Sequence, residues 1–176
     1  MSNRIWVRNY NPGWGSHLPV LANVLDKTEG PVLELGMGVF STPFLHSMCE
    51  SRKRLLVSYE ENPYYVERHQ TFANDNHKII LAENMDDAKI DDFKWSVVLV
   101  DHSALRRRIE AIRVAYIAQY VVLHDSDPPD PEHYGYPDKP FFFDVYPHYK
   151  YRFDFTRMIP NTTVLSNFID VSDLKI

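Results

Sequence analysis

Apolar positions fall into two alternating kinds of segment along the chain. Residues 31–35, 54–60, 78–82, 95–101 and 120–125 are short, nearly continuous runs rich in Val, Ile and Leu, and the stretches between most of them repeat apolar positions every three or four residues. Continuous runs of that length are strands covered on both faces, and strands alternating with amphipathic helices predict a parallel α/β sheet. Leu18, Leu21 and Leu25 share one face of a helix that starts near Ser16. Thr42-Pro43 and Asn62-Pro63 each place a capping side chain before a proline suited to the first helical position. Leu105, Ile109, Ile112 and Tyr116 repeat at helical spacing, so the third crossover is helical as well.

The alternation stops after Asp127. The segment "DPPDPEHYGYPDKPFFFDVYPHYK", residues 127–150, is dense in proline and aromatics and has no sustained period. A long loop of this kind is either a functional lid, with Tyr134, Tyr136, Phe141, Phe142 and Phe143 closing over a site, or an aromatic plug over the sheet. Beyond it, "YKYRFDFTR" and "TTVLSNFID" flank Met158-Ile159-Pro160-Asn161, the pattern of a hairpin with turn chemistry. The whole chain, 1–176, reads as one domain, with residues 1–30 as an N-terminal cap segment.

Composition narrows the partners. A hydrophobic content of 44% over 176 residues supplies one core, and a net charge of -5 disfavours affinity built on neutralising nucleic-acid phosphates. Arg52-Lys53-Arg54 and Arg106-Arg107-Arg108 read as solvated helix faces. The single cysteine, Cys49, has no internal disulfide partner. No stretch approaches the roughly 18 apolar residues of a membrane span, and the start of the chain lacks the apolar centre of a signal peptide, so the expectation is a cytoplasmic protein with no membrane partner.

The sharpest chemistry sits in "PVLELGMGVFST". A strand ending near Glu34, then Gly36 and Gly38, then a helix, builds a place where backbone can approach a ligand with no Cβ in the way. Glu60 follows Gly38 by 22 positions at the end of the next strand, where an acidic side chain grips ribose hydroxyls in nucleoside-binding α/β folds. Phe40 and the Ser41-Thr42 pair depart from the glycine spacing that accommodates a pyrophosphate, which weakens a nicotinamide oxidoreductase reading. On these residues the chain resembles the class I S-adenosylmethionine-dependent methyltransferases. "LELGMG" is similar to that family's first-strand motif, "LVSYEENP" to its second acidic position, and "GVFST" to a subgroup that continues with Ser-Thr.

The resemblance implies a Rossmann-like seven-stranded sheet, six strands parallel and the last antiparallel in a terminal hairpin, with helices on both faces. It implies S-adenosylmethionine as cofactor and a cofactor site drawn from Glu34, Gly36, Met37, Gly38, Ser41, Thr42, Tyr59, Glu60, Glu61, Asn84, Met85 and Asp101. Glu34 and Gly36 would face the methionine part, Glu60 the ribose, and Asn84 and Met85 the adenine.

"VLVDHS" and "VLHDSD" bring Asp101, His102, His124 and Asp125 to the carboxyl edge of the sheet as catalytic candidates. Either histidine is suited to deprotonating an acceptor, and either aspartate to orienting an imidazole. His124 also has a plain reading as a satisfied core histidine. Asp101, Asp125 and Asp127 together raise a magnesium or calcium site, but they miss the Asp-Asn pattern of the metal-dependent branch, and no metal is assigned. His17, His69, His77, His133 and His148 have no zinc-ligand spacing and are given no site. The expected function is methyl transfer to a small-molecule acceptor, with a homodimer compatible with the exposed aromatics. The alternative is a catalytically inactive nucleoside-binding or interaction module on the same fold.

Overall fold

The structure is a computed structural model that describes residues 11–127 and 142–176. Its elements in chain order are α1 (Leu18–Asp26), β1 (Val32–Leu35), α2 (Ser41–Ser51), β2 (Leu56–Glu60), α3 (Pro63–His69), β3 (His77–Leu81), β4 (Trp95–Val100), α4 (Ala104–Arg113), β5 (Ala118–His124), β6 (Tyr151–Phe155) and β7 (Thr162–Ser166). They form one seven-stranded sheet in the order β3-β2-β1-β4-β5-β7-β6. β1 to β5 pair in parallel, while β7 inserts between β5 and β6 and runs antiparallel to both. The mixed, mostly parallel architecture expected from the sequence is therefore present.

Alternation along the central strands divides the core into two layers. Leu33, Leu35, Val98, Val100, Val121 and Leu123 face the side covered by α4, through Ala111 and its neighbour Val114. Val32, Leu56, Val97, Leu99 and Val122 face α1 and α2, through Leu21, Leu25, Leu45 and Cys49. The edge strands carry Lys78 and Arg152 at exposed positions, where charge discourages pairing with a further strand.

Two local expectations are corrected and one is met. α2 begins at Ser41, with Phe40 at its cap and Pro43 inside the first turn, so Thr42 is not a cap; its hydroxyl has a buried partner instead. Asn62 does cap α3, accepting from the Tyr64 amide ahead of Pro63. The two basic clusters are only partly solvated: Arg52 and Lys53 are exposed, whereas Arg54 and Arg107 are not. Arg54 is buried and donates to the carbonyls of Leu25, Thr28 and Gly30, and Arg107 is buried at the carboxyl edge. A guanidinium has five donors in a planar fork, so it can satisfy several loop carbonyls or carboxylates at once and be enclosed in doing so.

The end of the proline-aromatic segment is packed down. Phe142 and Val145 are in the core, the Tyr149 hydroxyl donates to the Ala111 carbonyl, and Asp144 pairs with Arg108. Residues 142–150 thus act as a plug against α4, whereas 128–141, with Tyr134, Tyr136 and Phe141 of the expected lid, lie outside the described residues. Among the described residues, no helix is long and apolar enough to cross a membrane.

Candidate active site

The strand order reverses between β1 and β4, and in open α/β sheets the crevice at such a reversal, beyond the carboxyl ends of the strands, is where ligands bind. Gly36 and Asp101 meet there. Gly36 has φ +94°, its amide donates to the Tyr59 carbonyl at 2.9 Å, and the Asp101 amide donates to the Leu35 carbonyl at 2.8 Å. A Cβ on Gly36 would lie 2.5 Å from the Asp101 carbonyl oxygen, so the first glycine is required by the fold itself. Gly38 differs: a Cβ there would meet only the Ser41 hydroxyl, at 3.0 Å.

The turn is pinned from two sides. The Met37 amide donates to Glu60 Oε2 and the Asn62 amide to Glu60 Oε1, both at 2.8 Å, so Glu60 ties the glycine turn to the β2–α3 turn. The Gly38 amide donates to Thr42 Oγ1 at 3.1 Å, and that hydroxyl donates to Glu34 Oε1 at 2.9 Å. Ser41 is buried beside them at the head of α2. Glu34 is fully enclosed beneath the turn, where burial pushes its carboxyl up to about 7 against the lowering hydrogen bonds of its hydroxyl neighbours.

A polar chain runs from Glu34 toward the surface. Ser58, paired with Glu34 in the sheet register, donates to Glu34 Oε2 at 2.6 Å. Its oxygen then accepts from His77 Nε2 at 2.9 Å, and the remaining His77 nitrogen accepts from His46 Nδ1 at 3.1 Å. Burial holds His77 down at about 4, so it is neutral near pH 7 and has the single proton that this direction requires.

The remaining cofactor candidates divide. Tyr59 and Met85 are core side chains in the layer facing α4. Glu61 and Asn84 reach the edge and are joined by a residue that sequence reasoning left on a solvated face. Arg106 lies 3.3 Å from Glu61 Oε1 and donates to Asn84 Oδ1 at 3.2 Å and Asp86 Oδ1 at 2.8 Å, bridging the loops after β2 and β3.

The catalytic candidates do come together. Asp101 Oδ1 accepts from His124 Nδ1 at 2.9 Å, and His124 Nε2 is 3.0 Å from the Ser16 hydroxyl. Ser16 gives its only proton to the Pro160 carbonyl at 2.6 Å, so it accepts from His124, and both imidazole nitrogens donate. Burial opposes that charge, but the Asp101 carboxylate, helped by Asp125, holds His124 above its ordinary value. Conversely, His124 and Arg107 hold Asp101 below its ordinary value despite burial. The Ser16-His124-Asp101 connectivity looks like that of a serine hydrolase, yet Ser16 is fully buried and its proton is committed elsewhere, so this histidine cannot activate it. Asp125 adopts a left-handed backbone with φ +52° and pairs with Arg107, which also donates to the His124 carbonyl at 3.0 Å.

His124, with both nitrogens engaged, is the satisfied histidine of its plain reading. His102 is not: it is buried beside the Gly36 turn, its Nε2 has no partner among the described residues, and burial lowers it to about 4. Asp127 accepts from the Asn161 amide at 2.9 Å, a turn role. Beyond β5, Ser126, Asp127, Phe142, Tyr146, Arg152 and Thr163 help to line a cleft of about 180 Å³. Ser16, His17, Ser58, His77, Arg106 and Arg107 were missed as site residues. The available signal was Ser58, a polar residue inside the apolar stretch of its strand, which the sheet sets in register with Glu34.

No family model matches the chain, and no curated protein matches it. Solved structures do. The methyltransferase domain of bacterial CtHen1-C is 11% identical with a TM-score of 0.62, over 89% of this chain and 100% of that one. TrmK of M. capricolum, in complex with S-adenosyl-homocysteine, is 9% identical with a TM-score of 0.53, over 89% of this chain and 71% of that one. WbdD is 15% identical with a TM-score of 0.57 over 90% of this chain, which spans only 38% of the WbdD chain. The fold is that of the class I S-adenosylmethionine-dependent methyltransferases.

Proposed function

We propose that the chain binds S-adenosylmethionine and transfers its methyl group to a small acceptor. The observation that carries this reading is the pinned glycine turn at the strand-order reversal, with Glu60 beside it. Glu60 accepts one amide on each oxygen and retains a lone pair on each for a ribose hydroxyl. Gly36, Met37 and Gly38 would pass the backbone along the cofactor, and the loop of Asn84 and Met85 would border its base.

The cofactor supplies an electrophilic methyl: the acceptor's nucleophilic atom bonds to the methyl carbon as the carbon–sulfur bond breaks, its electron pair staying on sulfur. The protein's task is then alignment and removal of the acceptor's proton. His102 has the unpartnered ring nitrogen for that removal, whereas His124 would first have to give up a hydrogen bond. Held at about 4, His102 is neutral above that pH. Methyl transfer is therefore expected to keep its His102-dependent step as pH falls through 6.5 and to lose it only near 4. His102→Ala should lower kcat by roughly a hundredfold or more with cofactor affinity unchanged, and an unaltered kcat would remove His102 from this role. Were the acceptor to enter the cleft beyond β5, its volume of about 180 Å³ would admit only a compact one.

Calorimetry with S-adenosylmethionine and S-adenosylhomocysteine tests the cofactor directly. Gly38→Val is expected to lose binding by at least about tenfold while the melting temperature stays near that of the parent, because only the Ser41 hydroxyl faces the new side chain. Absence of binding by the parent protein would refute the reading, and binding without turnover on any acceptor would leave an inactive nucleoside-binding module.

A further inference from the structure

We propose that His17, Asp101 and His124 form a site for one divalent first-row transition cation of the zinc or iron(II) class. One nitrogen from each histidine and one carboxylate oxygen lie within 4.8 Å of one another. Ligands at about 2.0–2.2 Å from such an ion sit roughly 3–3.5 Å apart. The Asp101–His124 pair already has that spacing, at 2.9 Å.

His17 is the independent observation. It is 1% exposed, and neither ring nitrogen has a hydrogen-bond partner among the described residues. A buried polar group left unsatisfied costs about 1–3 kcal/mol, and an imidazole with both nitrogens orphaned asks what it was placed to meet. Its ring stands edge-on to His124, with centroids 4.4 Å apart. Bringing one of its nitrogens from within 4.8 Å to ligand spacing takes a shift of at most roughly 1–2 Å and breaks no hydrogen bond among the described residues.

The surroundings suit a ligand set. A metal-bound histidine characteristically donates its other ring nitrogen to an oxygen that fixes the ring. His124 Nε2 does so to Ser16, which the Pro160 carbonyl holds in turn. The ion would take the place of the proton between His124 Nδ1 and Asp101. Arg107 does not compete for that position, because its close partner is Asp125 and it stays 3.9 Å from Asp101. Two imidazoles and one carboxylate select zinc, iron(II) or cobalt(II) over magnesium, which demands an oxygen shell. The Asp101 side chain keeps 21% of its surface exposed, so one side of the ion would be open to water or to a donor atom of an acceptor.

Ion binding requires neither cofactor nor turnover, so its test stands apart from the methyl-transfer reading. The full chain, stripped with a chelator, is titrated with Co²⁺ and followed by visible absorption and calorimetry. One Co²⁺ per chain is expected, with d–d bands of nitrogen ligation and displacement by Zn²⁺. His17→Ala and His17→Gln should each weaken Co²⁺ binding at least a hundredfold, while His148→Ala, an exposed histidine, leaves it unchanged. Should the alanine variant fail to fold, the glutamine variant decides. Parent protein that takes up no stoichiometric Co²⁺, or a folded His17 variant that binds as tightly as the parent, overturns the site.

Discussion

Gly36→Ala is expected to destabilise the protein by roughly 3 kcal/mol or more, a large share of the 5–15 kcal/mol that holds a typical domain together. Two costs combine. At φ +94° an L-residue is strained by about 1–2 kcal/mol. The added methyl would also lie 2.5 Å from the Asp101 carbonyl oxygen, 2.7 Å from its carbon and 2.9 Å from the His102 nitrogen. All three are backbone atoms, and none can rotate away. Nor can the strands part freely, because Gly36 is held to Tyr59 and Asp101 to Leu35 by backbone hydrogen bonds. For a chain of this length the loss corresponds to a fall in melting temperature of about 6–12 °C. Gly38→Ala, without a positive φ and facing only a side-chain hydroxyl, is the matched control and should change the melting temperature by far less. Equal melting of the two variants would mean that β1 and β4 do not approach as described.

Glu34→Gln should change stability in a way that depends on pH. Burial raises Glu34 from 4.5 to about 7, so across that interval the folded chain keeps a proton that the unfolded chain has released. The stability this contributes is fully present below pH 4.5 and is lost as pH rises through 7, by roughly 3 kcal/mol in all. Glutamine carries no such proton. The stability of Glu34→Gln relative to the parent should therefore rise by roughly 3 kcal/mol between pH 4.5 and 8. His17, His77 and His102, each lowered by burial to about 4, work in the opposite sense: their contribution is present above 6.5 and is lost as pH falls through 4. They are common to both proteins and largely cancel in the difference. Denaturant melts of parent and variant at several pH values give the comparison directly, and a difference that does not move with pH would show that Glu34 is not buried as a carboxylate. A buried acid that weakens the fold at neutral pH is the kind of group retained for a ligand, and the proposed cofactor would carry a sulfonium and an ammonium.

The parts of this protein legible in its sequence are those governed by neighbours along the chain. Runs rich in apolar residues marked β1, β2, β3, β4 and β5 within about two residues, because strands of a parallel sheet that are largely covered carry mostly apolar side chains. Asn62-Pro63 marked the start of α3 because capping is completed within one turn. Gly36 and Gly38, followed by Glu60, marked the turn at which the sheet opens, because a tight turn leaves its requirement on the residue that makes it.

Which polar group meets which was decided by the tertiary structure alone. Thr42 has the local sequence of a cap and is instead a bridge between Gly38 and Glu34, and Arg106 and Arg107 have the sequence of a solvated face and instead join loops at the carboxyl edge. Ser16 and His17 lie more than eighty residues from Asp101 and more than a hundred from His124, yet share one buried cluster with them. Sheet order and register set these meetings by bringing the ends of β4 and β5 beside the start of α1. A hydrogen bond or an ion site depends on atoms within a few ångströms in space, and no periodicity along the chain records that distance.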